Sequence, residues 1–291
     1  MHRDIAALDP RDFPPQLGEI PQPPKELWVR GTLPSFDRPV LTVVGSRAAT
    51  SYGRDACRAL IKGLSGTDTI IVSGLALGID AIAHEAALDA GLATIAVPGS
   101  GLSDAVLYPR NNLSLARRIL ERGGALLSEY EPDMRAATWT FPQRNRIMAG
   151  LSRAVLVIEA EEKSGTLITA RMAVDYNRDV FAVPGAIHTP TARGTNMLIR
   201  QGATPITSAD DLRDALGFER STASTQLDLS HLSPEEQRVI AFLREPITRD
   251  ELIRALKLPA RDAIVLLSAM EIKGLIKEEL GRVRADQSGA K

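Results

Sequence analysis

The chain has 291 residues, enough for two domains at the usual ~150 residues each, and its 44% hydrophobic content is that of an ordinary globular protein. No apolar run reaches the ~20 residues that span a bilayer, and a net charge of −1 excludes a uniformly basic nucleic-acid binder. The single cysteine, Cys57, excludes an internal disulfide, and the four scattered histidines, His2, His84, His188 and His231, show no metal-ligand spacing.

Residues 1–39 carry eight prolines, including Pro14-Pro15 and Pro23-Pro24, and read as an extended arm. Within it Leu27-Trp28-Val29 is apolar enough to lie along a larger domain. No apolar segment follows Met1-His2-Arg3-Asp4, so a secretory signal is not expected. With no disulfide available, a cytoplasmic location is the expectation.

Residues 40–217 alternate apolar runs with amphipathic ones. Strands are predicted near 40–44, 69–73, 93–97, 125–128, 154–159, 179–183 and 204–207. Helices are predicted at 51–64, 80–90, 112–122, 143–151, 167–177, 194–201 and 209–216. Most strands lack polar alternation, which implies burial on both faces in a mostly parallel sheet. Right-handed crossovers then put the strand-to-helix turns on one edge, where ligands bind in such folds.

Those turns are chemically loaded. The first strand ends in Gly45-Ser46-Arg47, before Thr50-Ser51, either of which can cap the following helix. Amides at a helix start favour anions, and Arg47 adds a forked cation, though a solvated Arg47 is equally consistent with the pattern. The second strand ends in Ser73-Gly74, and Asp80 can cap the helix that carries His84. Pro98-Gly99-Ser100-Gly101, Lys163-Ser164-Gly165-Thr166 and Pro184-Gly185 close three further strands. Glycines and hydroxyls permit close approach of a phosphate.

The segment Trp139-Thr140-Phe141-Pro142-Gln143-Arg144-Asn145-Arg146 sets aromatics beside arginines. That combination suits single-stranded nucleic acid, with bases stacked and phosphates clamped. It is equally consistent with aromatics packed under a helix and solvated arginines. Cys57 falls in the small, apolar pattern of the first helix and reads as buried filler. Three consecutive apolar residues, Met197, Leu198 and Ile199, cannot all be covered by one helix face, so at least one should point away from the local core.

Residues 218–230 read as a linker, 231–285 as a small second domain and 286–291 as a tail. Ser233-Pro234-Glu235-Glu236 opens a helix, two more follow at 248–256 and 259–273, and a hairpin turns at Gly281. Three helices and a hairpin suggest a winged helix-turn-helix. Reading duplex DNA and contacting protein are both compatible with its near-neutral charge.

Taken together, these residues resemble the DNA-processing protein A family (DprA, also called Smf). The motifs are Gly45-Ser46-Arg47 with Tyr52-Gly53, Ser73 to Asp80 with Ala83-His84, Tyr108-Pro109, Phe141 to Arg146, Ser164 to Arg171, Ala182-Val183-Pro184-Gly185 and Gly194-Thr195-Asn196. The resemblance implies an extended Rossmann-like domain, with helices on both faces of its sheet, that binds single-stranded DNA without catalysis, cofactor or metal. It also implies loading of the recombinase RecA onto incoming DNA in natural transformation, protection of that DNA, and a homodimer. The implied DNA contacts are Gly45, Ser46, Arg47, Ser73, Gly74, Phe141, Arg144, Asn145, Arg146, Lys163, Ser164, Gly165 and Thr166. Met197, Leu198 and Ile199 are the expected dimer surface. Some members carry a lysine where this chain has Thr138.

The competing class is a nucleotide phosphoribohydrolase of the lysine-decarboxylase-like Rossmann group, which uses a Pro-Gly-Gly-x-Gly-Thr-x-x-Glu loop. Neither the turn at Pro98 nor that at Lys163 supplies the glutamate at that spacing, since Glu159, Glu161 and Glu162 precede the turn. A nicotinamide enzyme is disfavoured because Gly-x-Gly-x-x-Gly is absent after the first strand.

Overall fold

The computed structural model describes residues 4–218, 232–243, 247–279 and 281–285, which fall into two compact units divided after Arg220. In the first unit, apolar segments pair into a nine-stranded sheet. Its strands are β1 (Ile5–Ala7), β2 (Trp28–Gly31), β3 (Val40–Val44), β4 (Ile70–Ser73), β5 (Ala93–Ala96), β6 (Ala125–Ser128), β7 (Ala154–Val157), β8 (Asp179–Ala182) and β9 (Thr204–Pro205). The order is β1-β2-β6-β5-β4-β3-β7-β8-β9, and only the β1–β2 and β2–β6 pairs are antiparallel.

The chain leaves β3 towards β4, β5 and β6, then returns to pair β7 on the other flank of β3. The reversal opens a crevice at the carboxyl ends of β3 and β7, where open α/β sheets hold ligands. The strands are buried on both faces. Leu41 and Val43 join one core with Cys57, Leu60 and Ile61 of α1 (Ser51–Lys62) and Ile79 and Ala83 of α2 (Ile79–Asp89). Val40 and Val44 join the opposite core with Ile147, Met148 and Leu151 of α4 (Thr140–Leu151) and Ala170 and Ala173 of α5 (Thr166–Asp175). The remaining helices are α3 (Leu113–Glu121), α6 (Arg193–Arg200) and α7 (Ala209–Ala215). Thr50 caps α1 by accepting from Gly53 N at 3.1 Å.

In the proline-rich arm Leu27-Trp28-Val29 lies along the larger domain as expected, but the arm is not simply extended. Its prolines open two short 3-10 turns, at Pro10–Asp12 and Pro15–Gly18, while β1 and β2 between them extend the sheet past β6. Leu17, Ile20 and Leu27 are buried in the core beside α4. A Cβ on Gly150 would stand 2.9 Å from Ile20 Cγ2 and 3.0 Å from Leu17 Cδ2, so the absent side chain lets the arm seat against α4. The arm belongs to the first unit. Phe218, read as linker, packs on the core beside α7, with the Arg213 guanidinium 5.9 Å from its ring. The rest of the predicted linker and the tail lie outside the described residues.

The second unit holds α8 (Pro234–Phe242), α9 (Arg249–Leu256), α10 (Ala260–Ile272) and an antiparallel sheet ordered β10 (Ile247–Thr248), β12 (Arg282–Ala285), β11 (Ile276–Glu279). Reciprocal capping boxes, Ser233 with Glu236 and Thr248 with Glu251, start α8 and α9. Val239, Leu252, Leu267, Met270 and Val283 fill its core. This is the winged helix-turn-helix expected from the sequence.

Candidate functional site

A cavity of about 530 Å³ occupies the crevice at the carboxyl ends of β3 and β7. Four sequence segments meet there: Gly45-Ser46-Arg47 after β3, Ala76 and Asp80 around the start of α2, Phe141, Arg144 and Asn145 of α4, and Lys163 to Thr166 at the start of α5. Close packing holds the first of them. A Cβ on Gly45 would lie 2.6 Å from Ile79 Cγ1, and one on Gly78 (φ 76°) would lie 2.3 Å from Ser46 O. Ser46 O accepts from Ile79 N at 3.1 Å, and Gly45 O from Thr166 Oγ1 at 3.1 Å. The turn is therefore tied to both neighbouring helix starts.

Arg47 is exposed, with its guanidinium carbon 5.3 Å from the Phe141 ring centroid. Tyr108, 46% exposed, is tilted against Phe141, with ring centroids 5.8 Å apart. A cation on an aromatic face contributes ~0.5–1 kcal/mol at such sites, and it holds both groups in one orientation. Leu77 and Pro109 complete an apolar rim beside Arg47, Phe141 and Arg144.

Arg144 forms part of the wall and is only 4% exposed. Its Nη1 donates to Val97 O at 2.6 Å, and Nε has no partner among the described residues. Burial draws its pKa down to about 10, Asp80 opposes the shift and Arg47 adds to it, so the group stays cationic at neutral pH. Burial likewise raises Asp80, against the pull of Arg144. Asp80 does not cap α2 as the sequence suggested: it lies inside the helix, after Gly78. Its carboxylate accepts from Gly74 N at 3.1 Å and Ala76 N at 3.4 Å.

Several predicted contacts stand elsewhere. A Cβ on Gly74 would fall 1.6 Å from Arg144 Nη1, so Gly74 makes room for the arginine, and its amide is committed to Asp80. Ser73 is fully buried and donates to Val43 O at 2.7 Å. Arg146 is 7% exposed and turned from the cavity: Nη1 donates to Gln22 O at 2.7 Å and Nη2 pairs with Glu129. Two residues along a helix is about 200° of rotation, so Arg144 and Arg146 cannot share a face. Arg146 fastens the arm to α4.

Lys163 and Gly165 are exposed at the rim, and Ser164 and Thr166 are half-buried there. Thr138 is exposed. On α6, Met197, Leu198 and Ile199 are all half-buried, with Leu198 packed on the core. His84 is fully buried, its Nδ1 2.7 Å from Thr94 Oγ1, and burial draws its pKa down to about 3. Cys57 is equally buried, and its thiol is pushed up to about 12 by burial.

Sequence reasoning missed the residue that sets the loop before α2. Asn112 Nδ2 donates to Leu75 O at 2.9 Å and Ala76 O at 3.0 Å, bridging from the start of α3. Leu75 there takes φ 58°, unusual for a branched side chain. No local pattern marks Asn112, because its partners are 36 and 37 residues away. Among the described residues no cluster of potential ligands could hold a metal ion, and no helix is long and apolar enough to cross a membrane.

The chain matches the family model for DNA recombination-mediator protein A over residues 4–217, and that for the DprA winged helix domain over 222–282. Protein Smf of Escherichia coli is 41% identical over 235 residues, covering 81% of this chain and 62% of that protein. DNA processing protein DprA of Bacillus subtilis is 41% identical over 221 residues, covering 75% and 73%. Among solved structures, DNA processing protein A of Streptococcus pneumoniae superposes with a TM-score of 0.68 at 41% identity, covering 75% of each chain. DNA processing protein A of Helicobacter pylori, whose structure was described for its single-stranded DNA binding mode, superposes with a TM-score of 0.67 at 32% identity, covering 74% of this chain and 96% of that one. With both units matched, and with the Gly45-Ser46-Arg47 turn and the Phe141 to Arg146 helix start at one sheet edge, the chain belongs to the DNA recombination-mediator protein A family, the DprA and Smf proteins.

Proposed function

We propose that the chain binds single-stranded DNA at the β3–β7 crevice, with backbone phosphates at Arg47, Arg144 and the start of α5 and bases against Phe141 and Tyr108. The observation that carries this reading is the stacked Arg47–Phe141 pair beside Tyr108 at the cavity rim. It joins a fixed cation to an aromatic face, the pairing that unstacked bases and their phosphates require. A duplex offers no free base faces to an aromatic side chain. The similarity to the H. pylori protein supports the same substrate.

The reading extends to recombination mediation: protection of incoming strands and loading of RecA during natural transformation, with no catalytic turnover. Family membership supports it. A homodimer through α6 is part of the proposal, supported by the half-buried Met197 and Ile199. Fluorescence anisotropy with a labelled oligothymidine and the matching duplex tests the site. Arg47→Ala is expected to weaken single-strand binding at every sequence and lower the salt slope by about one unit. Phe141→Ala is expected to weaken binding with the salt slope unchanged, by about 1–3 kcal/mol for a lost stacking contact. Wild-type affinity and slope in both variants would remove the crevice as the site.

A further inference from the structure

A second cavity, of about 300 Å³, lies at the same sheet edge between the start of α1 and the segments after β7 and β8. It shares no lining residue with the first. Its floor is the Glu159 carboxylate, only 3% exposed. Glu159 Oε1 accepts from Thr50 Oγ1 at 2.5 Å and Thr191 Oγ1 at 3.2 Å, and Oε2 accepts from Thr50 N at 3.0 Å. Among the described residues it forms no ion pair. The start of α1 stabilises the charge in part, through the Thr50 amide and the helix dipole.

The direction of the surrounding hydrogens defines what this cavity can receive. Thr50 and Thr191 both donate to Glu159. Tyr52 donates to Pro184 O at 2.6 Å, and Thr195 to Ala192 O at 3.1 Å. The amide of Gly185 is taken by Asn196 Oδ1 at 3.2 Å. Four wall hydroxyls thus spend their hydrogens within the wall; Thr50 Oγ1 also accepts from Gly53 N, while the oxygens of Tyr52, Thr191 and Thr195 keep acceptor capacity beside the Glu159 carboxylate. Of the hydroxyls lining this cavity, only that of Thr189 has no acceptor among the described residues. The phenol of Tyr52 registers the same field: burial first, and the Glu159 charge second, raise its pKa. Ile158, Val183 and Ala192 supply apolar wall.

We propose that this second cavity is a binding site for a small alkylammonium ion, with the ammonium donating to Glu159 and the hydroxyl oxygens and the methylene stem along Ile158, Val183 and Ala192. An ammonium carries three donors and no acceptor, the complement of this wall, and it neutralises a buried carboxylate. A neutral diol satisfies the geometry without the charge, and a phosphate or carboxylate ligand meets lone pairs and a like charge. The site is independent of the DNA reading, since it uses none of the groups at the β3–β7 crevice.

Titration calorimetry on the full chain tests this with 1,4-diaminobutane and n-butylammonium chloride, against 1,4-butanediol and potassium chloride. Saturable binding of both amines in the millimolar range or tighter is expected, with no heat from the diol. Glu159→Gln is expected to weaken it at least tenfold. Thr191→Val, which keeps the side-chain shape, is expected to weaken it several-fold and remains the informative variant if Glu159→Gln does not fold. Absence of amine binding overturns the proposal. So do equal binding of the diol, full competition by potassium at equal concentration, and wild-type amine affinity in Thr191→Val together with any folded Glu159→Gln protein.

Discussion

Arg144 shows how one buried cation can be held ready. It is enclosed by Val97 O, Met148 and the space left by Gly74, with Asp80 as its nearby counter-charge. Removing a partner from a buried charge costs more than the pair contributes, because the remaining charge stays desolvated. Gly74→Ala should therefore act as a displacement of Arg144 rather than as a loss of a phosphate contact. Single-strand affinity is expected to fall with the helical circular dichroism retained, whereas wild-type affinity in this variant would detach Arg144 from the site. His84 gives a second residue-scale test, through pH. Its folded pKa is drawn down to about 3 from an ordinary value of 6.5. Between those values the unfolded chain binds the proton and the folded one does not, so stability falls as pH drops below 6.5, by up to about 1.4 kcal/mol per pH unit, and is unaffected above it. Denaturant midpoints from pH 7 to 4.5 should show this loss in the wild type and less of it in His84→Gln.

At the scale of elements, the arm is the part least visible in sequence and among the most consequential in packing. Prolines mark where a chain cannot continue a helix or a central strand, and a density of eight hides two short strands, β1 before the first proline and β2 between Pro24 and Pro34. β2 itself holds no proline and pairs on both sides, with β1 and β6. Leu17→Ala should cost about 2–5 kcal/mol, the range for a truncated buried leucine. Gly150→Val should push Leu17 and Ile20 off α4, and limited proteolysis is expected to cut within residues 8–27 faster than in the wild type. Equal cleavage rates would show that the arm is held elsewhere. The core strands were legible because Ala154 to Val157 is an unbroken apolar run and Val40 to Val44 is interrupted only by the β-branched Thr42, a pattern without polar alternation that burial on both faces explains. Arg146 was misplaced because proximity in sequence to Phe141 and Arg144 carries no statement about helix face.

For the whole molecule, the order of strands explains why the site stands where it does. Reversal at β3 brings the turn after β3 beside segments far along the chain, which Thr166 and Gly45, 121 residues apart, illustrate with their direct hydrogen bond. Motifs pointed to residues that line the cavity, Gly45 to Arg47, Phe141 and Lys163 to Thr166, but not to long-range clamps such as Asn112, since those depend on how loops return. The half-buried Met197 and Ile199 leave room for a symmetric partner, and two linked sites on one strand would raise avidity through effective concentration. Met197→Arg is expected to halve the mass seen by light scattering and to weaken long oligonucleotides more than short ones. A monomeric wild type at micromolar concentration would contradict the dimer.

The central claim, that single-stranded DNA lies in the β3–β7 crevice with its bases on Phe141 and Tyr108, is tested most directly by photo-cross-linking. A single-stranded oligonucleotide carrying 5-bromouracil is irradiated with the full chain, and the attached peptides are identified by mass spectrometry. The account predicts adducts concentrated on the peptides that contain Tyr108 and Phe141, lost when excess unlabelled single strand is added and reduced in Arg47→Ala. Adducts confined to other peptides, with Tyr108 and Phe141 unmodified, would contradict it.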